Sequence, residues 1–193
     1  MQRRLKVRAL APDDWDVIEL LFGAKGACGG CWCMYWRSPF GGEKFKERLG
    51  ETNRRDFRKL VSGGKAHGVL AFDGDRPVGW CSIGPREDFP YLERSRVLRT
   101  DWKPGTWSVT CFFIPAGERG KGVATSLLAG AVKLARKLGA KELEGYPVSV
   151  RPDGRKVAAA FAWTGVPALF EKAGFEPLER DETRVVYRKR LRT

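Results

Sequence analysis

The fold is decided by residues 106–140, TWSVTCFFIPAGERGKGVATSLLAGAVKLARKLGA. The β-branched and aromatic run 106–114 predicts a buried strand, and the glycine-rich stretch 115–122 predicts a turn. Apolar residues then recur at helical spacing over 123–138, and Gly139 ends the predicted helix. The first amides of a helix lack intrahelical acceptors and lie at the positive end of its dipole. The turn and the helix start therefore predict an anion site suited to phosphate.

Three kinds of phosphate-binding loop could begin such a helix. A P-loop requires Ser or Thr directly after its lysine, but Gly122 follows Lys121. A dinucleotide-binding fingerprint requires three glycines in the pattern GxGxxG, and its third position here is Thr125. The third pattern, Arg/Gln-x-x-Gly-x-Gly/Ala, is filled by Arg119, Gly122 and Ala124. A plain tight turn also fits this short pattern, so the loop alone does not identify the class of protein.

The whole sequence predicts one mixed α/β domain over residues 1–193. The predicted elements, in chain order, are a strand at 5–10, a helix that begins at 12, a helix over 43–61, a hairpin of 66–72 and 76–83, the strand and helix described above, a strand at 142–148, a helix over 157–173 with a break near 165–167, and a last strand pair at 175–178 and 184–187. Residues 85–104 are polar and contain prolines, which predicts an irregular loop.

The loop at 119–124 and a second segment, ALFEKAGFEPL at 168–178, together resemble the GNAT N-acetyltransferase superfamily. In that superfamily the first pattern is the pyrophosphate loop, and the second is similar to the end of the last helix and the strand after it. The order of predicted elements is similar over essentially the whole chain. The resemblance implies an α/β (α+β) fold with a central mixed, mostly antiparallel sheet flanked by helices, and a splayed parallel strand pair at the cofactor site.

The resemblance also implies that acetyl-CoA is the cofactor. Backbone amides of 119–125 would bind the pyrophosphate, and the pantetheine would pair with the strand end at 112–114. A backbone N–H there would polarise the thioester carbonyl. Phe170 stands at a position of the last helix where the superfamily often has a tyrosine. The implied cofactor-binding residues are Phe112, Phe113, Ile114, Arg119, Gly120, Lys121, Gly122, Val123, Ala124, Thr125 and Phe170.

GNAT enzymes usually transfer acetyl to an amine by direct attack in a ternary complex, which implies a small-molecule or peptide amine as acceptor. The attacking amine must be neutral, so a base or a water path must take its proton. Because Phe170 cannot protonate the departing thiolate, Tyr146 is the candidate acid, and Glu144 is the nearest candidate base. The alternatives are a half-buried strand tyrosine, a salt-bridged glutamate, and an enzyme that acts mainly by positioning its substrates.

The segment CGGCWCMYWR at 28–37 concentrates thiols and aromatic rings. Its three cysteines are one ligand short of a structural zinc site, so we predict no metal. Small thiols and tryptophans also suit a buried core. By the resemblance, this region forms one wall of the acceptor pocket, and an aromatic wall suits a cationic amine or an aromatic molecule. The acceptor-binding residues that this reading implies are Trp32, Cys33, Tyr35 and Trp36.

The charge of the chain points to an anionic partner. Lys and Arg number 36 and Asp and Glu number 23, which gives a net charge of +13. Basic clusters occur at 54–59, 94–99 and 188–192, so a nucleic-acid-binding protein is one alternative, but the sequence contains no helix-turn-helix, zinc-finger or RNP motif. We therefore expect no nucleic-acid partner. A second alternative is a catalytically silent module that binds coenzyme A.

Composition also bears on the compartment. No apolar run approaches the roughly 18 residues that a membrane helix needs, and the N-terminus has no apolar signal region. The number of cysteines, 5, is odd, which argues against a disulfide framework. We expect a cytoplasmic protein without a membrane partner, and a homodimer is one open possibility.

Overall fold

The computed structural model describes residues 5–148, 162–178 and 185–191. The strands are β1 (Lys6–Ala9), β2 (His67–Asp73), β3 (Arg76–Pro85), β4 (Thr106–Phe113), β5 (Glu142–Gly145), β6 (Glu176–Pro177) and β7 (Tyr187–Arg190). The helices are α1 (Trp15–Phe22), α2 (Gly42–Lys46), α3 (Glu51–Ser62), α4 (Pro90–Arg94), α5 (Val123–Lys137) and α6 (Pro167–Lys172). None of the described helices combines the length and the apolarity needed to span a bilayer.

The strands form one sheet in the order β1-β2-β3-β4-β5-β7-β6. Strands β1 to β4 pair antiparallel in sequence order. β4 and β5 pair parallel, and β7 runs antiparallel to both β5 and β6. This mixed, mostly antiparallel sheet with one parallel pair confirms the fold class predicted from the sequence.

β4 and β5 separate beyond Val109 and Gly145, the last residues of their parallel pairing. β4 continues past this point, and a register shift against β3 leaves Thr110 as the extra residue of a β-bulge. A bulge bends its strand and increases the local twist, so it favours the divergence of β4 from β5. The chain around Trp163 lies beside the diverging end, where its carbonyl accepts a hydrogen bond from the Phe112 N–H over 2.6 Å.

Helices cover both faces of the sheet. α5 packs over β1, β2 and β3, and Leu127 of α5 is buried in one core cluster together with Val69 of β2. Ile18 of α1 and Phe57 of α3 are buried in another cluster, with Leu70 of β2. Because successive side chains of a strand point to opposite faces, the neighbours Val69 and Leu70 place the two clusters on opposite sides of the sheet.

The single helix predicted over 43–61 is instead two helices, α2 and α3. Gly50, between them, has φ of +83°, a left-handed conformation that favours glycine. Its N–H donates to the Gly30 carbonyl over 2.9 Å, which ties the break to the thiol-rich segment. Within the loop predicted over 85–104, α4 begins at Pro90, where proline suits the first helical turn.

The C-terminal elements also differ from the prediction. The strand predicted over 142–148 ends at Gly145, shortly before Pro147, which has no N–H to donate to a ladder. The last strand is Tyr187–Arg190 rather than 184–187. Parts of two predicted elements, residues 157–161 and 184, lie outside the described residues, and the described part of the predicted helix contains α6.

Candidate functional site

A groove of about 460 Å³ lies between the end of β4, the turn before α5 and the start of α6. The predicted cofactor-binding residues that line it are Phe112, Phe113, Ile114, Arg119, Gly120, Gly122, Val123, Ala124 and Thr125. The structure thus brings most of the predicted set together. The opposite wall is formed by residues before and within α6, among them Trp163, Gly165 and Leu169.

The turn before α5 leaves room for a ligand at the helix start. Gly120 and Gly122 have φ of +72° and +80°, which glycine adopts without steric cost. A Cβ at either position would have no described atom within 4 Å. Gly122 is the N-cap residue of α5, and it has no side chain with which to cap the helix. The first amides of α5 can therefore bind an anion in the groove.

Arg119 and Lys121 place positive charge at this turn. The Arg119 Nε donates to the Ile114 carbonyl over 3.0 Å, which braces the turn against the end of β4. The Lys121 Nζ lies 3.7 Å from the Glu118 Oε2, and Glu118 also pairs with Arg76 at 2.9 Å. Lys121 therefore lies beside a carboxylate, and it is not among the residues that line the groove.

Two of the predicted cofactor contacts are already engaged within the protein. The Phe112 N–H donates to the Trp163 carbonyl, so a ligand that pairs with this strand must replace that bond or use a neighbouring peptide group. Phe170 is fully buried and lies so close to Gly145 that a Cβ there would be 2.2 Å from its ring. Phe170 therefore belongs to the core behind the groove and does not line it.

A second cavity, of about 410 Å³, lies between residues 27–36, α2 and the end of β4. The cavity and the groove adjoin, because both are lined by Cys28, Phe112, Phe113 and Trp163. Of the predicted acceptor-binding residues, those that line it are Cys33, Tyr35 and Trp36. Trp32 lies elsewhere, in the core of the sheet face below α1, with its ring centroid 5.7 Å from those of Trp15 and Phe22.

The lining of the second cavity is almost entirely apolar. Aromatic rings form much of its wall, and the Tyr35 ring lies 5.3 Å from Trp163 and 5.4 Å from Phe45 between centroids. None of the described residues that line it is Asp, Glu, His, Lys or Arg. Its groups that can lose a proton are Tyr35 and the thiols of Cys28, Cys31, Cys33 and Cys111. The cavity suits an apolar or aromatic ligand.

The thiols differ in their environment. The hydrogen bond from the Cys111 thiol lowers the pKa of Cys33 despite burial, and the indole N–H of Trp80 adds to this effect. Trp80 donates to the Cys33 sulfur over 3.0 Å. Burial raises the pKa of Cys31 to about 12, and the bond to Cys33 raises the pKa of Cys111 well above its usual range. The surroundings thus favour the thiolate form of Cys33 over those of Cys31 and Cys111.

Two non-glycine residues of the segment 28–37 have a left-handed backbone conformation. No group of three or more His, Cys, Asp or Glu within the described ranges is placed to hold a metal ion. Trp32 and Cys33 have φ of +46° and +57°, a conformation that costs a non-glycine residue about 1–3 kcal/mol. The surrounding packing of the two residues holds them there, with Trp32 pointing into the core and Cys33 lining the cavity.

Glu144 and Tyr146 meet in a buried polar network. The Glu144 Oε1 accepts from the Thr100 hydroxyl at 2.8 Å and from Arg188 at 2.7 Å. Its Oε2 accepts from the Tyr146 hydroxyl at 2.8 Å and lies 3.1 Å from the Arg86 Nε. Burial, as the largest cause, raises the pKa of Tyr146 well above its usual range. Neither residue lines the groove or the cavity, so the catalytic role predicted for them stays a prediction.

Several lining residues were not predicted from the sequence, among them Trp163 and Cys111. Trp163 lines both the groove and the cavity, and its position just before the segment 168–178 was the available signal. Cys111 lines the cavity, and strand alternation offered a clue, because it places Cys111 and Phe113 on the face opposite Phe112. The contact between Cys33 and Cys111 joins residues far apart in sequence, and no local pattern marks it.

Comparison with known proteins identifies the fold. A model of the acetyltransferase (GNAT) family matches residues 32–162. A search of curated proteins finds no match. Among solved structures, the chain is similar to the PaiA N-acetyltransferase from Thermoplasma acidophilum in complex with coenzyme A, with a TM-score of 0.55 and 14% identity over 97% of this chain and 99% of that one.

Two further structures give the same result. A ribosomal-protein-alanine N-acetyltransferase from Brucella melitensis aligns with a TM-score of 0.56 and 17% identity, over 96% of this chain and 99% of that one. A GCN5-related N-acetyltransferase from Kribbella flavida aligns with a TM-score of 0.56 and 17% identity, over 97% and 98%. At identities this low, the structural similarity establishes a shared fold and nothing more.

Proposed function

Because the chain belongs to the GNAT acetyltransferase family, we propose that it transfers the acetyl group of acetyl-CoA to a primary amine of a small molecule or peptide, by direct attack in a ternary complex. Members of this family use acetyl-CoA, which supplies an activated thioester. The observation that carries the proposal is the junction of the two spaces. The groove at the start of α5 and the apolar cavity meet at Phe112, Phe113 and Trp163.

The groove fits coenzyme A through its own residues. The open space at Gly120 and Gly122 allows a pyrophosphate to approach the first amides of α5. Arg119 adds a positive charge at the same end. The apolar wall from Phe112 to Ile114 and the α6 side of the groove would hold the pantetheine. This arrangement would bring the thioester to the end of β4, beside the cavity.

The lining of the cavity favours an apolar acceptor. Aromatic rings of Tyr35, Trp36 and Phe45 surround it, and no described carboxylate lines it to pair with a polycation. An amine that carries an aromatic or aliphatic group would bury that group at about 25 cal/mol per Å². A polyamine would lose hydration without gaining an ion pair. We therefore propose an apolar primary amine as the acceptor class.

The Phe112 N–H has a defined part in this proposal. In the structure it donates to the Trp163 carbonyl. If the Trp163 segment shifts when the cofactor binds, this N–H becomes a donor for the thioester carbonyl, as in an oxyanion hole.

Direct attack also predicts sequential kinetics, in which both substrates bind before either product leaves. Initial rates over a grid of both substrate concentrations test that order.

Cofactor binding is tested by calorimetric titration with coenzyme A. The variant Gly122→Ala places a methyl group in the open space at the start of α5, and we expect it to weaken coenzyme A at least about tenfold. Gly139→Ala is the matched control, because Gly139 has φ of +82° at the other end of the same helix and open space around it. Both variants carry a similar backbone strain. Equal affinities in the two variants would contradict the proposed cofactor site.

A further inference from the structure

The apolar cavity poses a problem for the chemistry proposed for it. An amine that enters as an ammonium ion has to lose a proton before it can attack a carbonyl carbon. Among the described residues that line the cavity, none is a carboxylate or a histidine, the usual general bases. Glu144 is not one of the lining residues, and both of its oxygens are already engaged. The groups left to accept a proton inside the cavity are its thiols and Tyr35.

Cys33 stands out among these groups by its hydrogen bonds. Its sulfur accepts the Trp80 indole N–H over 3.0 Å. Cys111 on β4 and Ser82 on β3 are further neighbours whose interactions lower the pKa of Cys33. The side chain is almost fully buried and yet lines the cavity. A donor directed at the sulfur stabilises its thiolate form.

We propose that Cys33 is the proton carrier of acetyl transfer: its sulfur takes the proton that the acceptor amine loses and returns it to the thiolate that leaves coenzyme A. This inference rests on the proposed function and deepens it. The carbon–nitrogen bond forms and the thioester carbon–sulfur bond breaks. The ammonium loses two protons in all. The first passes to the Cys33 sulfur before the attack and from there to the coenzyme A sulfur, and the second leaves the nitrogen for water once the carbon–nitrogen bond has formed. Cys33 ends as it began, and no oxidant or reductant takes part.

The apolar surroundings favour the first proton transfer. An ammonium beside a thiolate is a pair of charges, whereas an amine beside a thiol is neutral. Desolvation penalises the charged pair. The transfer therefore becomes easier inside the cavity than in water, where an ammonium holds its proton more tightly than a thiol does. Burial also penalises the thiolate of Cys33 itself, and the Trp80 indole N–H, 3.0 Å from the sulfur, offsets part of that cost.

The charged and titratable groups that interact with Cys33 are one arginine and three thiols. Arg37 is almost fully buried, pairs with Asp88 at 3.5 Å, and its positive charge lowers the pKa of Cys33. Cys31, Cys81 and Cys111 are the other thiols that interact with Cys33, and each of them has a raised pKa. Of these four thiols, Cys33 is therefore the one whose surroundings favour the thiolate form.

The same role accounts for the phenylalanine at position 170. A tyrosine there would protonate the departing thiolate in many relatives, according to the resemblance, but Phe170 has no proton to give and is buried in the core. If Cys33 holds the proton taken from the amine, the departing sulfur has a proton donor in the cavity that adjoins the groove. No separate acid on α6 is then needed.

The first test uses turnover. With an apolar amine as acceptor, we expect Cys33→Ala to lower kcat about 100-fold or more, with coenzyme A affinity unchanged in calorimetry. Cys33→Ser, which keeps the shape but ionises far less readily, should be equally slow at neutral pH. Cys81→Ala is the structural control, because Cys81 is fully buried on β3 and does not line the cavity. It should lose stability but keep the wild-type pH profile of kcat.

The second test needs no substrate amine. Rates of alkylation by iodoacetamide are measured against pH for each thiol by peptide mass spectrometry. We expect Cys33 to react at a lower pH than Cys31, whose pKa is about 12. The pH midpoint of Cys33 alkylation should match the pH at which kcat falls on the acidic side of its pH profile. Full kcat in Cys33→Ser, or an ordinary alkaline midpoint for Cys33, would overturn the proton carrier. So would a stable acetyl group on Cys33 without amine. If Cys33 is alkylated at the expected low pH but no amine is acetylated, the result would instead contradict the proposed function.

Discussion

Trp80 donates its indole N–H to the sulfur of Cys33 over 3.0 Å, across 47 residues of sequence. Trp80 lies on β3 and is fully buried, and Cys33 lies in the segment between α1 and α2. The bond fixes this segment against the sheet and supplies one of the donors to the thiolate. It therefore couples the shape of the cavity to the chemistry proposed within it.

Trp80→Phe removes this donor while keeping an aromatic ring. The pKa of Cys33 should rise, so the acidic limb of kcat and the midpoint of alkylation should move together to higher pH. Trp107→Phe is the matched control, because Trp107 is on the adjacent strand and its ring lies 5.2 Å from His67. Both variants should lose stability, at about 1–3 kcal/mol. The result would contradict a role of Trp80 in the ionisation of Cys33 if the acidic side of the pH profile of kcat did not move in Trp80→Phe, or if it moved equally in Trp107→Phe.

Tyr146→Phe separates the two candidate acids. The Tyr146 hydroxyl bonds Glu144 and Ser108, each at 2.8 Å, within the buried network. Its loss leaves those groups short of a partner, which costs about 1–3 kcal/mol of the free energy of unfolding. If Cys33 carries the proton, kcat should stay within about threefold of wild type, far from the loss caused by removing a general acid. A drop in kcat of about 100-fold, with unchanged cofactor affinity, would support Tyr146 as the acid instead.

Phe170→Tyr tests whether position 170 can supply an acid in this chain. The ring packs on Gly145 and lies 5.2 Å from that of Phe175, so an added hydroxyl would be buried in an apolar core. We expect a loss of about 1–3 kcal/mol in the free energy of unfolding and no gain in kcat. Chemical denaturation and steady-state rates provide the two measurements. A faster enzyme would show that the hydroxyl reaches the departing thiolate.

Asp14 gives the protein a defined acid sensitivity. Its carboxylate accepts from Arg8 at 2.5 and 2.6 Å and from the Ala11 N–H at 2.7 Å, and the bond to Arg8 lowers its pKa below the ordinary value of 3.8. The stabilisation is therefore present above that value and is lost as pH falls through the lower pKa of the folded state. Asp14→Asn should be less stable than wild type at neutral pH, and the difference should shrink on acidification. A constant difference from neutral to acidic pH would exclude this linkage.

The strand, turn and helix of 106–138 could be predicted because periodicity, glycine position and helix stop agree there, and the structure places them as β4, the turn and α5. The break at Gly50 was not visible, since apolar spacing continues across it and the break depends on a contact with Gly30. The groove residues follow from one local motif. The cavity does not, because Cys33, Trp80 and Cys111 meet only through the sheet and its flanking segment.

Acceptor selectivity follows from the cavity wall. Tyr35 and Phe45 line it, with ring centroids 5.4 Å apart. Tyr35→Ala should enlarge the cavity and raise KM for an aromatic amine by about tenfold, the loss of one buried ring face. The affinity for coenzyme A should be unchanged, because Tyr35 does not line the groove. An equal loss for aromatic and polyamine acceptors would show that Tyr35 acts through stability rather than contact.

The most direct test of the account is acetyl-CoA-dependent acetylation of two amines by the wild-type protein. The amines are 2-phenylethylamine, which is apolar and aromatic, and spermidine, which is polycationic. The joined groove and apolar cavity predict that coenzyme A is released with the aromatic amine, and that kcat/KM is at least about tenfold lower for spermidine. No acetylation of either amine by a protein that binds coenzyme A, or a preference for spermidine, would contradict it.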